Sequence, residues 1–139
     1  MSNLDAIGKG EVWYKVYVDA SVNQTRSRLG VRVERYVDGQ LLSARGYSFI
    51  IDKNEKSINR LELLAAIHGL NLVPDHSKVE LYSDSSYVIN VGFYGKKIRK
   101  NRDLIARLNN LITRKALIVK PSWIPRNENE EADKLSKGD

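Results

Sequence analysis

Residues 12–19 read Val-Trp-Tyr-Lys-Val-Tyr-Val-Asp and carry the clearest fold signal in the chain. Branched and aromatic side chains dominate this stretch and its character alternates, which predicts a β-strand. Residues 30–36 alternate apolar and charged side chains in the same way, and the Asp38-Gly39 pair that follows favours a tight hairpin into a third strand over 41–51. The chain therefore opens with an antiparallel meander of three strands.

After the meander, the apolar residues change from strand spacing to helix spacing. Leucine and isoleucine residues from 61 to 70 predict a helix over about 59–72, and Pro74 lies just beyond its end. The other predicted elements are a strand over 78–83, a brief helix over 85–91 closed by Gly92, a helix over 103–113, a strand over 117–123 and a last helix over 128–136. This order predicts an α/β fold with a mixed sheet and helices packed against it.

Composition excludes several classes of protein. The chain has 139 residues and a net charge of +6, from 23 Lys and Arg against 17 Asp and Glu. We expect a flexible segment over 1–10 and a single domain over 11–139. The absence of Cys excludes disulfide scaffolds, thiolate zinc sites and cysteine nucleophiles. The chain has two His residues, His68 and His76, which we interpret as structural or surface residues. We find no signal peptide and no apolar run of membrane-spanning length, and so expect a cytoplasmic monomer without a membrane partner.

Four acidic residues stand out by their positions. Asp19 ends the first strand, Asp84 ends the fourth, Glu62 lies among the apolar residues of the first long helix, and Asp133 falls in the last helix. Acids at apolar positions are costly unless they are paired or bind a cation, and ligand sites of α/β sheets form beyond the carboxyl ends of strands. Carboxylate sites suit Mg²⁺ or Mn²⁺, and two such ions are the standard arrangement for phosphodiester hydrolysis.

Each of these acids also has a simpler interpretation when it is taken singly. Asp84 is placed to cap the helix that follows it, and Asp19 is placed to start a turn with Ser21. Glu62 is near enough to a helix N-terminus for its negative charge to interact favourably with the helix dipole. Asp133 has lysine neighbours, which are typical of a solvated surface. No single acid decides between these alternatives and a metal site.

Taken together, five segments in this order resemble ribonuclease H of type 1. They are Tyr-Val-Asp-Ala-Ser at 17–21, Asn-Arg-Leu-Glu-Leu-Leu-Ala-Ala at 59–66, Leu-Tyr-Ser-Asp-Ser-Ser-Tyr-Val at 81–88, Trp-Ile-Pro-Arg at 123–126 and Asn-Glu-Glu-Ala-Asp-Lys-Leu at 129–135. The resemblance runs from about residue 12 to residue 137. It implies the RNase H-like fold, a five-stranded mixed sheet with helices packed on it.

The resemblance also implies a function and a set of site residues. The implied reaction is endonucleolytic hydrolysis of the RNA strand of an RNA/DNA hybrid, leaving 5′-phosphate and 3′-hydroxyl ends. The implied metal ligands and catalytic residues are Asp19, Glu62, Asp84 and Asp133, with two Mg²⁺ or Mn²⁺ ions when substrate is bound. Asn59 matches a position that reads RNA 2′-hydroxyl groups. Ser57 and Asn101 match positions that hold a DNA phosphate; their alternatives are a helix cap and a polar loop residue.

The sequence departs from the family pattern before the last catalytic acid. Many members carry a loop histidine there, whereas the five residues over 124–128 include none. Arg126 is a candidate replacement because it would neutralise charge on the departing phosphate. Glu128 is the other candidate, because a glutamate could position water, although it also suits a helix N-terminus. We favour Arg126 slightly.

The second departure is a short basic loop in place of a longer basic insertion. Five of the seven residues over 96–102 are Lys or Arg. Ordinary solvation would account for such a loop, but it would also form a strip of phosphate contacts with salt-dependent affinity. The proposed substrate contacts here are Lys96, Lys97, Arg99 and Lys100, with the aromatic residues Phe93 and Tyr94 available against a sugar or base.

Three alternatives remain open at this stage. The first is a different nuclease of the same fold, and the second is a catalytically weak module that binds hybrid or duplex RNA. The third is the excised nuclease domain of a reverse transcriptase. The polar ends favour a free-standing protein. Metal preference, cleavage-site preference and activity on duplex RNA cannot be read from the residues.

Overall fold

The computed structural model describes residues 10–23, 26–51, 55 and 57–138. The strands are β1 (Val12–Val22), β2 (Ser27–Val37), β3 (Gln40–Ile51), β4 (Lys78–Ser83) and β5 (Ile118–Trp123). The helical elements are α1 (Ile58–Asn71), a π-helix (Val88–Phe93), α2 (Arg102–Arg114), a 3-10 turn (Arg126–Glu128) and α3 (Glu130–Ser136). The five predicted strands are thereby confirmed. Of the segment 1–10 that we expect to be flexible, all but Gly10 lies outside the described residues.

The strands form one mixed sheet in the order β3-β2-β1-β4-β5. β2 is antiparallel to both β1 and β3, whereas β4 runs parallel to both β1 and β5. The β2–β3 hairpin turns at Asp38 and Gly39, whose φ angles of 51° and 79° are those of a turn with two left-handed central residues. Because β1 is the central strand and β4 is its parallel neighbour, the carboxyl ends of these two strands lie side by side.

α1 covers one face of the sheet. Val16 and Val18 of β1 are completely buried, and their side chains face this helix. A Cβ atom at Gly69 would lie only 2.8 Å from Val16 and 2.9 Å from Val18. Glycine at this position therefore lets the helix backbone approach the central strand closely. This contact places the first turns of α1, including Glu62, beside the carboxyl end of β1.

α3 covers the opposite face of the sheet. Gly30 of β2 lies directly beneath it, since a Cβ atom there would be 2.1 Å from the carbonyl oxygen of Ala132. Side chains on a strand alternate between faces, so Asp19, which pairs with Gly30, projects toward α3 rather than toward the face of Val18. The sheet therefore separates α1 from α3. The acids of the two helices can approach each other past the carboxyl ends of the strands.

Two predicted helix boundaries are wrong. The segment predicted to end at Gly92 is a π-helix that runs on to Phe93. Gly92 does not end it; a Cβ atom there would lie 2.9 Å from Leu63, so the glycine serves close packing. The last helix begins at Glu130 rather than at residue 128, because Asn129 has non-helical backbone angles. In the part of the chain that is described, no helix has the length and apolar character needed to cross a membrane.

Candidate active site

Three of the four acids singled out by the sequence meet at the carboxyl end of β1 and β4. One carboxylate oxygen each from Asp19, Glu62 and Asp84 lies within 4.8 Å of the other two. Asp19 and Glu62 are each 5% exposed, and Asp84 is half-buried. Among the described residues, no Lys or Arg forms an ion pair with any of the three. The three acids therefore lie close together without a cationic partner among the described residues.

The local structure disfavours the simpler interpretations of these three acids. Asp19 lies within β1, which continues to Val22, and its Oδ1 accepts a hydrogen bond of 2.9 Å from the backbone N–H of Ala20. Ser85 rather than Asp84 caps the next helical segment, because its hydroxyl accepts from the N–H of Val88 at 3.2 Å. Glu62 is buried and faces Asp19, not solvent at the helix end. All three carboxylates are thus directed into one cluster.

Burial sets the electrostatics of this carboxylate cluster. Desolvation raises the pKa of Glu62, and the negative charges of Asp19 and Asp84 raise it further. The pKa of Asp19 is raised by the same causes, burial first and then the charge of Asp84. Burial also raises the pKa of Asp84, opposed by the positive charge of Arg126 and by a hydrogen bond from Asn129. A bound divalent cation would remove this penalty, so the donor set fits a metal.

Asp133 lies at the edge of the cluster, on the α3 side of the sheet. It is not among the three acids whose oxygens lie within 4.8 Å of one another, but its negative charge raises the pKa of Asp19 further. Its Oδ2 also accepts from Nζ of Lys137 at 3.0 Å. Asp133 therefore fits both interpretations from the sequence. It lies beside the cluster, as a metal ligand would, and it pairs with a lysine, as a surface acid does.

Asn129 is a residue of this site to which the sequence interpretation gives no role. Its side chain is 1% exposed, and its Nδ2 donates to the carbonyl oxygen of Val18 at 2.9 Å, next to Asp19. Its backbone carbonyl accepts from the N–H of Asp133 at 3.0 Å. Asn129 therefore connects β1 and α3, and it also opposes the rise in the pKa of Asp84. An uncharged residue opening the acidic segment 129–133 is the signal that was available in the sequence.

The two candidates for the role of the loop histidine have different electrostatic neighbours. The positive charge of Arg126 opposes the rise in the pKa of Asp84. Glu128 lines a separate cavity of about 290 Å³ with Tyr17, Arg32 and other residues. Its charge acts on the Tyr17 hydroxyl, on the sheet face away from α1. Both side chains are exposed, but Arg126 is the one whose charge acts on the cluster.

A second group of predicted residues surrounds Arg60, a residue that the sequence interpretation did not single out. Ser57 caps α1, since its hydroxyl accepts from the N–H of Arg60 at 3.4 Å. Asn101 has a left-handed backbone, and its Oδ1 accepts from Arg60 at 3.2 Å. Arg60 also donates to both oxygens of Asp103, at 2.9 and 2.8 Å. Ser57 thus contacts the backbone of Arg60 and Asn101 contacts its guanidinium group, while Asn59 is exposed on the first turn of α1.

The basic strip, defined as residues 96–102, lies between the π-helix and α2. Its four proposed contacts are exposed and form no ion pair with any described residue; they are Lys96, Lys97, Arg99 and Lys100. The two aromatic candidates differ, since Phe93 packs against the core whereas Tyr94 is 57% exposed. The structure therefore leaves Tyr94, and not the Phe93 ring, free to meet a sugar or base.

Comparison with known proteins shows a family match over most of the chain. The family model described as RNase H matches residues 12–139. Ribonuclease H of Brucella ovis is 32% identical, with 76% of this chain and 88% of the relative aligned. Ribonuclease H of Rhodopseudomonas palustris is 36% identical, with 57% of this chain and 63% of the relative aligned. The chain thus spans a little under two thirds of the length of that relative, and 62% of another from Oleidesulfovibrio alaskensis.

Solved structures share the fold. The N-terminal RNase H domain of a Mycobacterium tuberculosis protein superposes with a TM-score of 0.67 at 17% identity, covering 92% of this chain and 93% of that one. LC11-RNase H1, solved in complex with an RNA/DNA hybrid, superposes with a TM-score of 0.63 at 19% identity, covering 88% of this chain and 92% of that one. At these identities the comparison bears on the fold only.

Proposed function

Because the chain belongs to the RNase H family, we propose that it is an endoribonuclease that hydrolyses the RNA strand of RNA/DNA hybrids. The observation that carries the proposal is the carboxylate cluster of Asp19, Glu62 and Asp84, whose oxygens lie within 4.8 Å of one another. A buried group of acids without a cationic partner is costly to fold. Its retention at the carboxyl ends of parallel strands fits a site that takes its cations from outside the chain.

The proposed cofactor is Mg²⁺ or Mn²⁺, because every donor is a carboxylate oxygen. The residues that would hold it are Asp19, Glu62 and Asp84, with Asp133 beside them. Two such ions would activate a water molecule as the nucleophile at neutral pH and stabilise the negative charge on the leaving oxygen, and the proposed products carry 5′-phosphate and 3′-hydroxyl ends. The protein's part is to hold the four carboxylates in place for the cation, and Asn129 connects β1 and α3, two of the elements that carry them.

Arg126 is the residue we propose for the role that a loop histidine plays in many family members. Its positive charge already acts on Asp84 in the folded chain, so a phosphate held at the cluster would lie within its field. A guanidinium group stays protonated at any working pH and donates to phosphate oxygens in a fork. It would neutralise the departing phosphate without transferring a proton.

Substrate contacts would extend from the cluster in two directions. Exposed Asn59 lies one turn before Glu62 on α1 and is proposed to read a 2′-hydroxyl, the group that separates RNA from DNA. Ser57 and Asn101, which both contact Arg60, are proposed to receive a phosphate of the DNA strand. The exposed charges of the basic strip would add salt-dependent affinity for the same duplex.

A substrate panel tests this proposal. Labelled RNA/DNA hybrid, duplex RNA and duplex DNA of one sequence would be incubated with the protein and Mg²⁺, Mn²⁺ or EDTA. We expect the RNA strand of the hybrid to be cut, with ends bearing 5′-phosphate, and EDTA or Asp19→Asn to abolish the reaction. Asp75→Asn, which alters an exposed acid in the turn after Pro74, is the matched control and should cut normally.

Other outcomes of the panel would overturn the proposal. Cutting of duplex DNA at a comparable rate would indicate a different nuclease of this fold. Binding of the hybrid with no cleavage in either metal would indicate a binding module that keeps the fold without the reaction.

A further inference from the structure

Trp123 is an exposed aromatic residue at the rim of the carboxylate cluster. It ends β5, its side chain is 54% exposed, and its indole Nε1–H donates to the backbone carbonyl oxygen of Asp84 at 3.0 Å. The backbone N–H of the next residue, Ile124, donates to the carbonyl of Ser83 at 3.0 Å. One edge of the indole is therefore fixed to the turn that carries a member of the cluster, while about half of the side chain faces solvent.

The position of Trp123 in the sheet explains why its ring is uncovered. β5 is an edge strand, and Trp123 pairs with Ser83 at the very end of β4. It lies on the same face of β5 as Val119, which packs against the core. The core does not extend to the end of the strand, so the indole continues this face beyond the point where the core ends. Covering the exposed part of this apolar ring with a partner would therefore be favourable.

We propose that Trp123 is a contact for the nucleic acid beside the site of cleavage, where the exposed part of its indole meets a base or ribose. This inference rests on the proposed function. Because the bases of a hybrid are paired and stacked, the ring would meet a ribose or a base edge exposed in a groove of the duplex. The hydrogen bond to Asp84 holds the ring before substrate arrives, which lowers the entropic cost of ordering it. The same bond sets the distance between the ring and the carboxylates.

Tyr94 offers a useful contrast. It is similarly exposed, at 57%, but no hydrogen bond of its hydroxyl with the described residues is found, so its ring is not fixed relative to the cluster. The other tryptophan, Trp13, lies at the opposite end of β1, paired with Tyr36 and Lys78. Its Nε1 donates to Glu11 at 3.4 Å, far along the chain from the carboxylates. Trp13 therefore serves as a matched control.

The sequence contains two tryptophans, which allows a direct optical test. In Trp13→Phe, Trp123 is the sole source of indole emission. Titrating this variant with RNA/DNA hybrid in EDTA, which prevents cleavage, should change the emission saturably, with the same Kd as the anisotropy of a labelled hybrid. Unchanged emission over a titration in which anisotropy reports binding would overturn the proposal.

Kinetics of three variants complete the test. We expect Trp123→Ala to raise Kd and KM for the hybrid about tenfold, with kcat changed less than about threefold. Trp123→Phe, which keeps a ring but loses the N–H donor, should raise KM about threefold, and Trp13→Phe should leave both constants unchanged. A fall in kcat and Tm with unchanged KM would show a structural role and overturn the contact. If Trp13→Phe cuts no hybrid while Trp123 emission still reports binding, the proposed reaction fails and the contact stands.

Discussion

Two groups of charged side chains share the first turns of α1 and differ in how their charge is balanced. Arg60 donates to Asp103 at 2.9 and 2.8 Å and to Glu55 at 3.0 Å, so both acids of this Arg60 group have a cation from the chain. Two residues further along the same helix, Glu62 faces Asp19 and Asp84 in the carboxylate cluster. No described Lys or Arg pairs with any of these three.

The difference shows in the pKa values of the acids. Hydrogen bonding to Arg60 lowers the pKa of Asp103 to about 2. Burial and neighbouring negative charge raise the pKa of Glu62 instead. The same residue types are therefore stabilised as anions in one group and destabilised in the other. The acids of the Arg60 group are balanced by a cation of the chain itself, whereas the carboxylate cluster requires a cation from solution.

Removing one acid from each group gives the largest expected contrast. Asp84→Asn should lower the rate of hybrid cleavage about a thousandfold or more, because it removes a carboxylate that would hold the metal. Asp103→Asn should change it by less than about fivefold, since Arg60 keeps Glu55 and a neutral hydrogen-bond acceptor. Single-turnover cleavage of a labelled hybrid in Mg²⁺ measures both. Equal losses in the two variants would remove the distinction between the groups.

Arg126 tests whether a nearby cation outside both groups contributes to the reaction. Arg126→Ala should lower kcat about 10- to 100-fold with little change in KM, because the lost charge matters most when the phosphate departs. Glu128→Gln should be near wild type, since Glu128 faces the cavity with Tyr17 and Arg32. Steady-state kinetics of both variants decide between them. A larger loss in Glu128→Gln would reverse the assignment.

Much of this arrangement could be predicted from the sequence, and the misses have physical reasons. Alternation of side chains located the strands, and burial of Glu62 followed from its apolar neighbours. The roles of Asn129 and Arg60 could not be predicted, because each depends on partners from other elements that meet only in the folded chain. The boundary at Gly92 was misjudged because a glycine needed for packing reads like one that ends a helix.

The basic strip differs from both groups, because its cations have no acidic partner among the described residues. Replacing Lys96, Lys97 and Lys100 by Ala should weaken hybrid binding about tenfold at moderate salt and flatten the dependence of log Kd on log salt concentration. The control is the triple variant Arg45→Ala, Arg114→Ala, Lys120→Ala, which removes the same charge from exposed positions elsewhere. An equal salt slope in the two triple variants would show that net charge, and not the strip, provides the affinity.

Stability in EDTA gives the smallest expected effect. Because the pKa of Glu62 is raised on folding, the native chain binds its proton more tightly than the unfolded chain does. This contribution to stability is complete below the unfolded pKa and is lost as the pH rises through the folded one. Glu62→Gln, which stays neutral, should therefore raise Tm by about 3–5 °C at about pH 8 and by less at about pH 5. Calorimetry at the two pH values measures this difference.

Adding Mg²⁺ provides the control for that experiment. The ion should raise the Tm of the wild-type chain at about pH 8 and reduce the advantage of Glu62→Gln, since it neutralises the same charge. A Tm of Glu62→Gln below that of the wild-type chain at both pH values would mean that ionisation of Glu62 does not destabilise the folded chain.

Direct binding of Mn²⁺, followed by the electron paramagnetic resonance signal of the free ion, measures whether the carboxylate cluster takes a cation from solution. The wild-type chain and Asp103→Asn should bind the ion with the same affinity, and Asp19→Asn should bind it at least about tenfold more weakly. Equal Mn²⁺ affinity in Asp19→Asn and the wild-type chain would contradict the claim that the cluster is completed by a cation from solution.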